Sequence, residues 1–406
     1  MFARLCLGVA CIFTQQCSLY YCCSFCPLKD KIANMKKMNI VIVHDWLTSM
    51  RGGEKVLEVL CELYPAATLV TLLHNKGMLS PVIEKMNIKT SFIDKLPLKE
   101  KKYRNYLPLF PLAIESLDFT GFDLIISTSH CVAKGAKPGK NGLHICYCHT
   151  PMRYVWEMYD EYFGKDKAGF MTRTAMSIFA PQLRKWDVRT SGRVHYYIAN
   201  SYNVARRIKQ YYNRQSDVIH PPVDTSLFQL SEKDKGYFLI VSALVPYKKV
   251  EIAVEAFNKI GRRLVIVGSG PESKKLKSIA KDNIEFLGWR GDDELAKIYA
   301  GCRALIFPGV EDFGIVPLEA MASGKPVIAF GKGGALETVI DQGTTSTGIF
   351  FYEQTVDSLI KAIANFEKTN FDPLSIRTHA LKFDRVLFKE KIKKYIEEKV
   401  TVHFTK

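Results

Sequence analysis

Residues 304–329 read Ala304-Leu305-Ile306-Phe307-Pro308-Gly309-Val310-Glu311-Asp312-Phe313-Gly314-Ile315-Val316-Pro317-Leu318-Glu319-Ala320-Met321-Ala322-Ser323-Gly324-Lys325-Pro326-Val327-Ile328-Ala329. Ala304–Phe307 and Pro326–Ala329 are short, continuous apolar runs, the pattern of strands covered on both faces. Between them the spacing predicts a helix over Leu318–Ser323, opened by Glu319, with Glu311 in the loop after the first strand. Strand, loop, helix and strand in this order make a parallel crossover unit.

The same alternation extends in both directions. Before this stretch, Ile40–Val43, Thr68–Leu72, Leu124–Ser127, His144–Cys148 and Tyr196–Ala199 read as strands of one half. Tyr237–Val241, Arg263–Val267 and Ile284–Leu287 join the two strands above in a second half. Helical patterns cover Glu54–Leu63, after Gly52-Gly53, and then Val250–Phe257, Glu272–Ala280 and Asp292–Ala300. The polar run Ser231–Gly236 lies just before the second half. The expected fold is therefore α/β, two Rossmann-like doubly wound domains facing across a cleft, with ligands at the carboxyl ends of the strands. The expected division is 38–205, 206–383 and 384–406, the last holding a C-terminal helix over about Asp384–Glu398 that packs back toward the first domain.

Length and composition agree with two domains. The chain has 406 residues, 47% hydrophobic and 24% charged, which excludes a disordered, collagenous or polytopic membrane protein. Its net charge of +16 calls for an anionic partner. Six of eleven cysteines fall in residues 1–37, where one early Arg4 precedes a short apolar stretch. That stretch is too short to span a bilayer and lacks a clean cleavage site. It reads as a dispensable or mis-started extension, with Met35 or Met38 as the start, and a short anchor as the second reading. These residues hold five basic and one acidic side chain, so the remainder keeps +12. The other cysteines, including Cys146 and Cys148 on one strand, sit in apolar runs, as expected of reduced thiols in a cytoplasmic protein.

Several residues could carry chemistry. Glu311 and Glu319 are eight positions apart; each alone could be a helix cap, but together they suit vicinal sugar hydroxyls. Gly314 between them lets main-chain N–H groups approach an anion. Gly268-Ser269-Gly270-Pro271-Glu272-Ser273 begins like a dinucleotide fingerprint, but its third glycine is Ser273. Histidines 44, 130, 144, 149 and 220 have no metal-site spacing, and most are expected at strand ends or in the core. Asp292-Asp293 reads as a helix cap, and no metal cluster is evident. The basic stretch 95–107 reads either as a solvated loop or as a docking patch for an anionic membrane. No nucleic-acid-binding module is visible.

Glu311 to Glu319, with Phe313-Gly314 inside and Gly324-x-Pro326-Val327-Ile328 after, resembles the E-x7-E signature of glycosyltransferase family four, retaining enzymes of GT-B fold. Val241–Lys248, Val267–Glu272, Phe286–Trp289, and Val43–Leu47 with Gly52-Gly53 resemble further segments of that family, in family order. Cys146-Tyr147-Cys148-His149-Thr150-Pro151-Met152-Arg153-Tyr154-Val155-Trp156 resembles a mannosyltransferase-like branch. The resemblance implies that Glu319 holds the nucleotide ribose and Glu311 faces the transferred sugar. It implies main-chain contacts from Phe313, Gly314, Ile315 and Val316, a diphosphate contact from Lys248 and another from Gly52 and Gly53. It places His149 near the donor sugar, and implies no cofactor or metal.

One position departs from the family. Arginine is usual five residues before the lysine, and Ala243 stands there; Arg51 or Lys249 are the expected compensating cations. The implied activity is retaining transfer of a hexose, mannose favoured, from a nucleoside diphosphate sugar to a growing, lipid-linked surface glycan, with the protein peripheral at the inner membrane face. The alternatives are a non-catalytic sugar-nucleotide-binding protein, which Ala243 favours, and a GT-B sugar-nucleotide epimerase.

Overall fold

The computed structural model describes residues 38–164, 169–343 and 345–405; the N-terminal extension lies outside them. Short helices and 3-10 segments, among them Tyr103–Leu109, complete the connections. The first sheet holds β1 (Ile40–His44), β2 (Thr68–Thr71), β3 (Asn87–Thr90), β4 (Leu124–Ser129), β5 (Leu143–Cys148), β6 (Tyr196–Ala199) and β7 (Ser216–Val218). Helices α1 (Gly52–Leu63), α2 (Phe170–Ser191) and α3 (Tyr202–Tyr212) belong to this half. The second sheet holds β8 (Tyr237–Val241), β9 (Arg263–Val267), β10 (Ile284–Gly288), β11 (Cys302–Phe307), β12 (Val327–Phe330) and β13 (Gly348–Phe351). Its helices are α4 (Val250–Ile260), α5 (Ser273–Ile279), α6 (Asp292–Gly301), α7 (Ile315–Ala322), α8 (Val356–Phe366) and α9 (Pro373–Leu381), and α10 (Arg385–Phe404) ends the chain.

The strand orders are β3-β2-β1-β4-β5-β6-β7 and β10-β9-β8-β11-β12-β13, with parallel pairing throughout. Each reverses direction once, between β1 and β4 and between β8 and β11. In such sheets the crevice for ligands opens above that point, at the carboxyl ends of the strands. Central strands are buried along their whole length, as β4 and β5 show, because helices cover both faces. The strands that sequence pattern does not reveal, β3, β7 and β13, are short and lie toward the sheet edges. In β3 exposed and half-buried residues alternate, so no apolar run marks it.

Three expectations are corrected. The boundary expected between 205 and 206 falls inside α3, and β7 pairs with β6, so the first unit runs through Val218. Helix α7 starts at Ile315, not Leu318, with Gly314 as its N-cap at φ +91. Glu319 therefore sits one turn inside the helix rather than opening it. Helix α10 continues to Phe404, beyond the expected Glu398. Its Phe388, Ile392, Ile396 and Val400 recur every fourth residue, one face of a helix, and join the first domain's core beside Leu57 and Tyr147.

Candidate active site

Glu311 follows β11 and is held from below by the glycine loop after β12. Gly334 N–H donates to the Glu311 carbonyl at 2.9 Å. A Cβ on Gly334 would lie 2.2 Å from Phe313 Cα, and one on Gly333 2.5 Å from the Glu311 carbonyl oxygen. The two loops approach closer than any side chain permits, and that approach sets where Glu311 points. Sequence reading missed this pair; the run Gly331-Lys332-Gly333-Gly334 was the available signal. The dinucleotide-like glycines have a similar packing explanation. A Cβ on Gly268 would lie 1.9 Å from the Ser242 carbonyl oxygen, beneath the turn that carries Lys248.

Lys248 pairs with Glu311. Burial, then repulsion by Arg153, pulls the Lys248 ammonium down to about 7. The N-terminus of α7 has no side-chain cap, so the Ile315 and Val316 N–H groups are available to an anion. Pro317, next in line, has none to give. The Phe313 ring is buried, stacked on His220 at 5.2 Å. Only its main chain can meet a ligand. Glu319 Oε2 accepts from Tyr299 Oη at 2.7 Å, and burial raises its carboxyl above the ordinary value. Glu319 also lines a cavity of about 40 Å³ between the domains, with Ile315, Lys55, Val223 and Asp292.

The first domain supplies the opposite wall. Helix α1 also starts without a side-chain cap, at Arg51. A Cβ on Gly52 would lie 3.0 Å from Ile315 Cδ1, and one on Gly53 3.5 Å from His149 Nε2. The paired glycines thus bring the N-termini of α1 and α7 face to face and leave room for the imidazole. His149 Nε2 is buried without a hydrogen-bond partner. Burial, then the neighbouring His130 and His44, push its pKa down to about 3. His149 is therefore a neutral imidazole, fit to accept or donate one hydrogen bond. Behind it Asp45 accepts from the main-chain N–H groups of 130–133 at 2.6–3.0 Å, and His130 Nδ1 lies 3.0 Å away.

A charged cluster that sequence reading did not single out closes the cleft. Arg153 Nη2 donates to Asp312 Oδ2 at 2.5 Å and lies 4.0 Å from Glu311 Oε2. Arg207, on α3, pairs with the other Asp312 oxygen and with Glu157 at 2.5 Å. Burial alone would raise the Asp312 carboxyl, but the two arginines hold it below the usual range. Ser201 Oγ donates to the Asp312 carbonyl at 2.7 Å. Glu337, from the second domain, caps α3 by accepting from the Tyr202 and Asn203 N–H groups, both at 2.8 Å. Arg153 stands inside the stretch that carried the mannosyltransferase-like resemblance, and Asp312 stands beside Glu311; nothing local marks either as a cross-domain contact.

Comparison with known proteins agrees with this architecture. The family model described as Glycosyltransferase Family 4 matches residues 36–227, and that described as Glycosyl transferases group 1 matches residues 224–382. The chain belongs to glycosyltransferase family 4. An uncharacterised glycosyltransferase of Methanocaldococcus jannaschii is 40% identical over 27% of this chain and 33% of its own. The GDP-mannose-dependent alpha-(1-6)-phosphatidylinositol monomannoside mannosyltransferase of Mycobacterium tuberculosis is 35% identical over 36% of this chain and 46% of its own. The chain thus aligns with less than half the length of these relatives. In fold it is similar to Anabaena HepE, crystallised with UDP, at a TM-score of 0.64 and 18% identity, covering 89% of this chain and 100% of that one.

Each of the two expected compensating cations has a polar partner of its own. Arg51 Nε donates to Ser49 Oγ at the mouth of α1, and Lys249 Nζ lies 3.6 Å from Glu161. In 95–107, Tyr103 and Leu107 are buried in the core, Tyr103 against Trp46, and Lys99 pairs with Asp94. Lys95, Leu98, Lys102 and Arg104 are exposed. Among the described residues no three His, Cys, Asp or Glu side chains are grouped to hold a metal ion, and no helix is long and apolar enough to cross a membrane.

Proposed function

We propose that the protein transfers a hexose, with retention of configuration, from a nucleoside diphosphate sugar to a lipid-linked glycan. One observation carries the proposal. Two carboxylates, Glu311 and Glu319, flank the uncapped N-terminus of α7, with Lys248 beside the first. That arrangement offers hydroxyl acceptors at both ends of an anion site, as a ribose, a diphosphate and a sugar require. Glu319 receives the ribose and Glu311 the sugar. Gly52, Gly53, the main chain of 313–316 and Lys248 receive the diphosphate. His149 meets the sugar as a neutral imidazole. The barrier is lowered by charge stabilisation of the leaving diphosphate and by orientation, the donor phosphate taking the acceptor proton, without a metal.

Mannose is favoured by the mannosyltransferase-like run at 146–156 and by the mannosyltransferase among the relatives. The exposed Lys95, Leu98, Lys102 and Arg104 suit an anionic bilayer at the inner membrane face, where a lipid-linked acceptor would wait. Vesicles rich in phosphatidylglycerol should sediment the protein, and phosphatidylcholine vesicles should not.

The deciding experiment incubates the full chain with UDP-, GDP- and ADP-sugars, without acceptor, and follows slow donor hydrolysis by mass spectrometry. Hydrolysis of GDP-mannose, unchanged by EDTA, is expected. A chain that neither hydrolyses a donor nor binds a nucleoside diphosphate overturns the proposal. Ala243 favours one second reading, a sugar-nucleotide binder without turnover; binding without hydrolysis or transfer would establish it.

A further inference from the structure

A departing diphosphate carries more charge than one lysine can offset. In the second domain position 243 holds alanine, its side chain exposed in the turn between β8 and Lys248. Arg51 donates to Ser49 Oγ, and Lys249 lies 3.6 Å from Glu161. A further cation comes from the first domain. Arg153 lies 4.0 Å from the carboxylate that Lys248 pairs with, and 5.7 Å above the ring of Tyr247, Lys248's neighbour in sequence.

The guanidinium is fixed before any ligand arrives. Asp312 holds Nη2, and Arg207 on the far side of Asp312 keeps that carboxylate in place. Nη1 touches only the weak acceptor Met158 Sδ, at 3.7 Å. The remaining N–H groups of the planar fork are thus free to meet phosphate oxygens, which arginine geometry suits. Repulsion between Arg153 and Lys248, visible in the lowered lysine, is what a pair of cations shows before the anion arrives.

We propose that Arg153 supplies, from the first domain, the second positive charge on the donor diphosphate that Ala243 leaves missing from the second. The inference rests on the nucleotide-sugar proposal above. It has a consequence for order: the charge is complete only when the domains close, so donor activation is tied to closure.

The test is calorimetric, on the full chain, with GDP and GMP and with UDP and UMP. Arg153→Gln is expected to weaken the diphosphate roughly 10- to 100-fold, as for loss of one partner of a desolvated charge pair, and the monophosphate far less. Ala243→Arg, placed on the exposed turn, is expected to restore diphosphate affinity in the Arg153→Gln background. Equal loss for both nucleotides, or no rescue by Ala243→Arg, overturns the proposal and leaves Arg153 as a domain contact alone. Should Arg153→Gln fail to fold, Arg153→Lys, which keeps a charge but not the fork, must still fall between wild type and the loss expected above; unchanged affinity for both nucleotides overturns it equally. A wild-type chain that binds neither diphosphate removes the nucleotide-sugar proposal itself, a different and distinguishable failure.

Discussion

Lys248 carries the clearest pH signature of any residue in the site. Its ammonium is pulled down to about 7 by burial first and Arg153 second. Only the charged form attracts a diphosphate, and that form is lost as pH rises through about 7. Nucleoside diphosphate affinity should therefore fall between pH 7 and 9, by up to about tenfold per unit. Because the bound anion favours the charged form, binding at pH 8 should take up protons. Calorimetry in two buffers of different ionisation enthalpy measures both. A Lys248→Arg protein, whose charge does not titrate there, should bind with a flat profile over the same range. A flat profile in wild type would show that Lys248 stays charged or lies off the diphosphate. At this scale the sequence was legible where a motif fixes the residue, as for Glu311, Glu319 and Lys248. Arg153, Arg207 and Asp312 were not, because their partners lie more than 100 residues away in the chain, and no local spacing encodes such a meeting.

At the level of elements, pattern located what is central and missed what is peripheral. Strands buried on both faces announce themselves as apolar runs, so β1, β4, β8 and β11 are readable. Edge strands carry polar residues against aggregation, and β3 and β7 were lost for that reason. Helix α2 hid differently: Pro181 interrupts it, and Phe170, Met171, Ile178 and Phe179 are exposed, which blurs its apolar stripe. The loop pair that aims Glu311 depends on a contact between two crossovers. Gly334 has an ordinary φ of −67, so alanine there strains nothing locally. Its Cβ would nonetheless fall 2.2 Å from Phe313 Cα, a backbone atom that cannot swing aside. Gly334→Ala should push the 311–314 loop outward by about 1 Å, the shift that brings the contact back to van der Waals distance. Stability should fall by about 1–3 kcal/mol, and donor turnover by up to ~10²-fold, since displacement of about 1 Å at a reacting centre costs that much. Thermal melts and donor hydrolysis rates check the two effects separately. A variant that melts lower but turns over normally would show that the loop tolerates the shift.

Across the whole molecule, two chain segments cross between domains side by side: Val223 N–H donates to the Phe383 carbonyl at 3.0 Å, and Arg385 N–H to the Val223 carbonyl at 2.9 Å. Beyond this double crossing α10 lies on the first domain, with Arg385 on Glu58 and Glu62 and Lys389 on Glu62. Each domain keeps its own clusters of buried apolar residues on the two faces of its sheet, so closure can change without unfolding either. Asp312 between Arg153 and Arg207 is the buried charged contact across the cleft, beside the Glu337 cap of α3. Asp312→Asn would leave two arginines buried against a neutral amide, roughly 3–5 kcal/mol against the closed form, and opening the cleft lets water relieve them. Small-angle scattering without nucleotide should then show a larger radius of gyration for Asp312→Asn than for wild type, with little change in the melting of the domains themselves. The same opening should follow acidification. The Asp312 carboxyl is held below its ordinary value, so its contribution is present above the unfolded carboxylate range near 4 and is lost as pH falls through the lowered one. Salt at 0.5 M should do less, because buried pairs are weakly screened. Equal radii for wild type and Asp312→Asn would mean that α10 and the Glu337 cap of α3 hold the domains together without the cluster, and that Asp312 serves only to place Arg153.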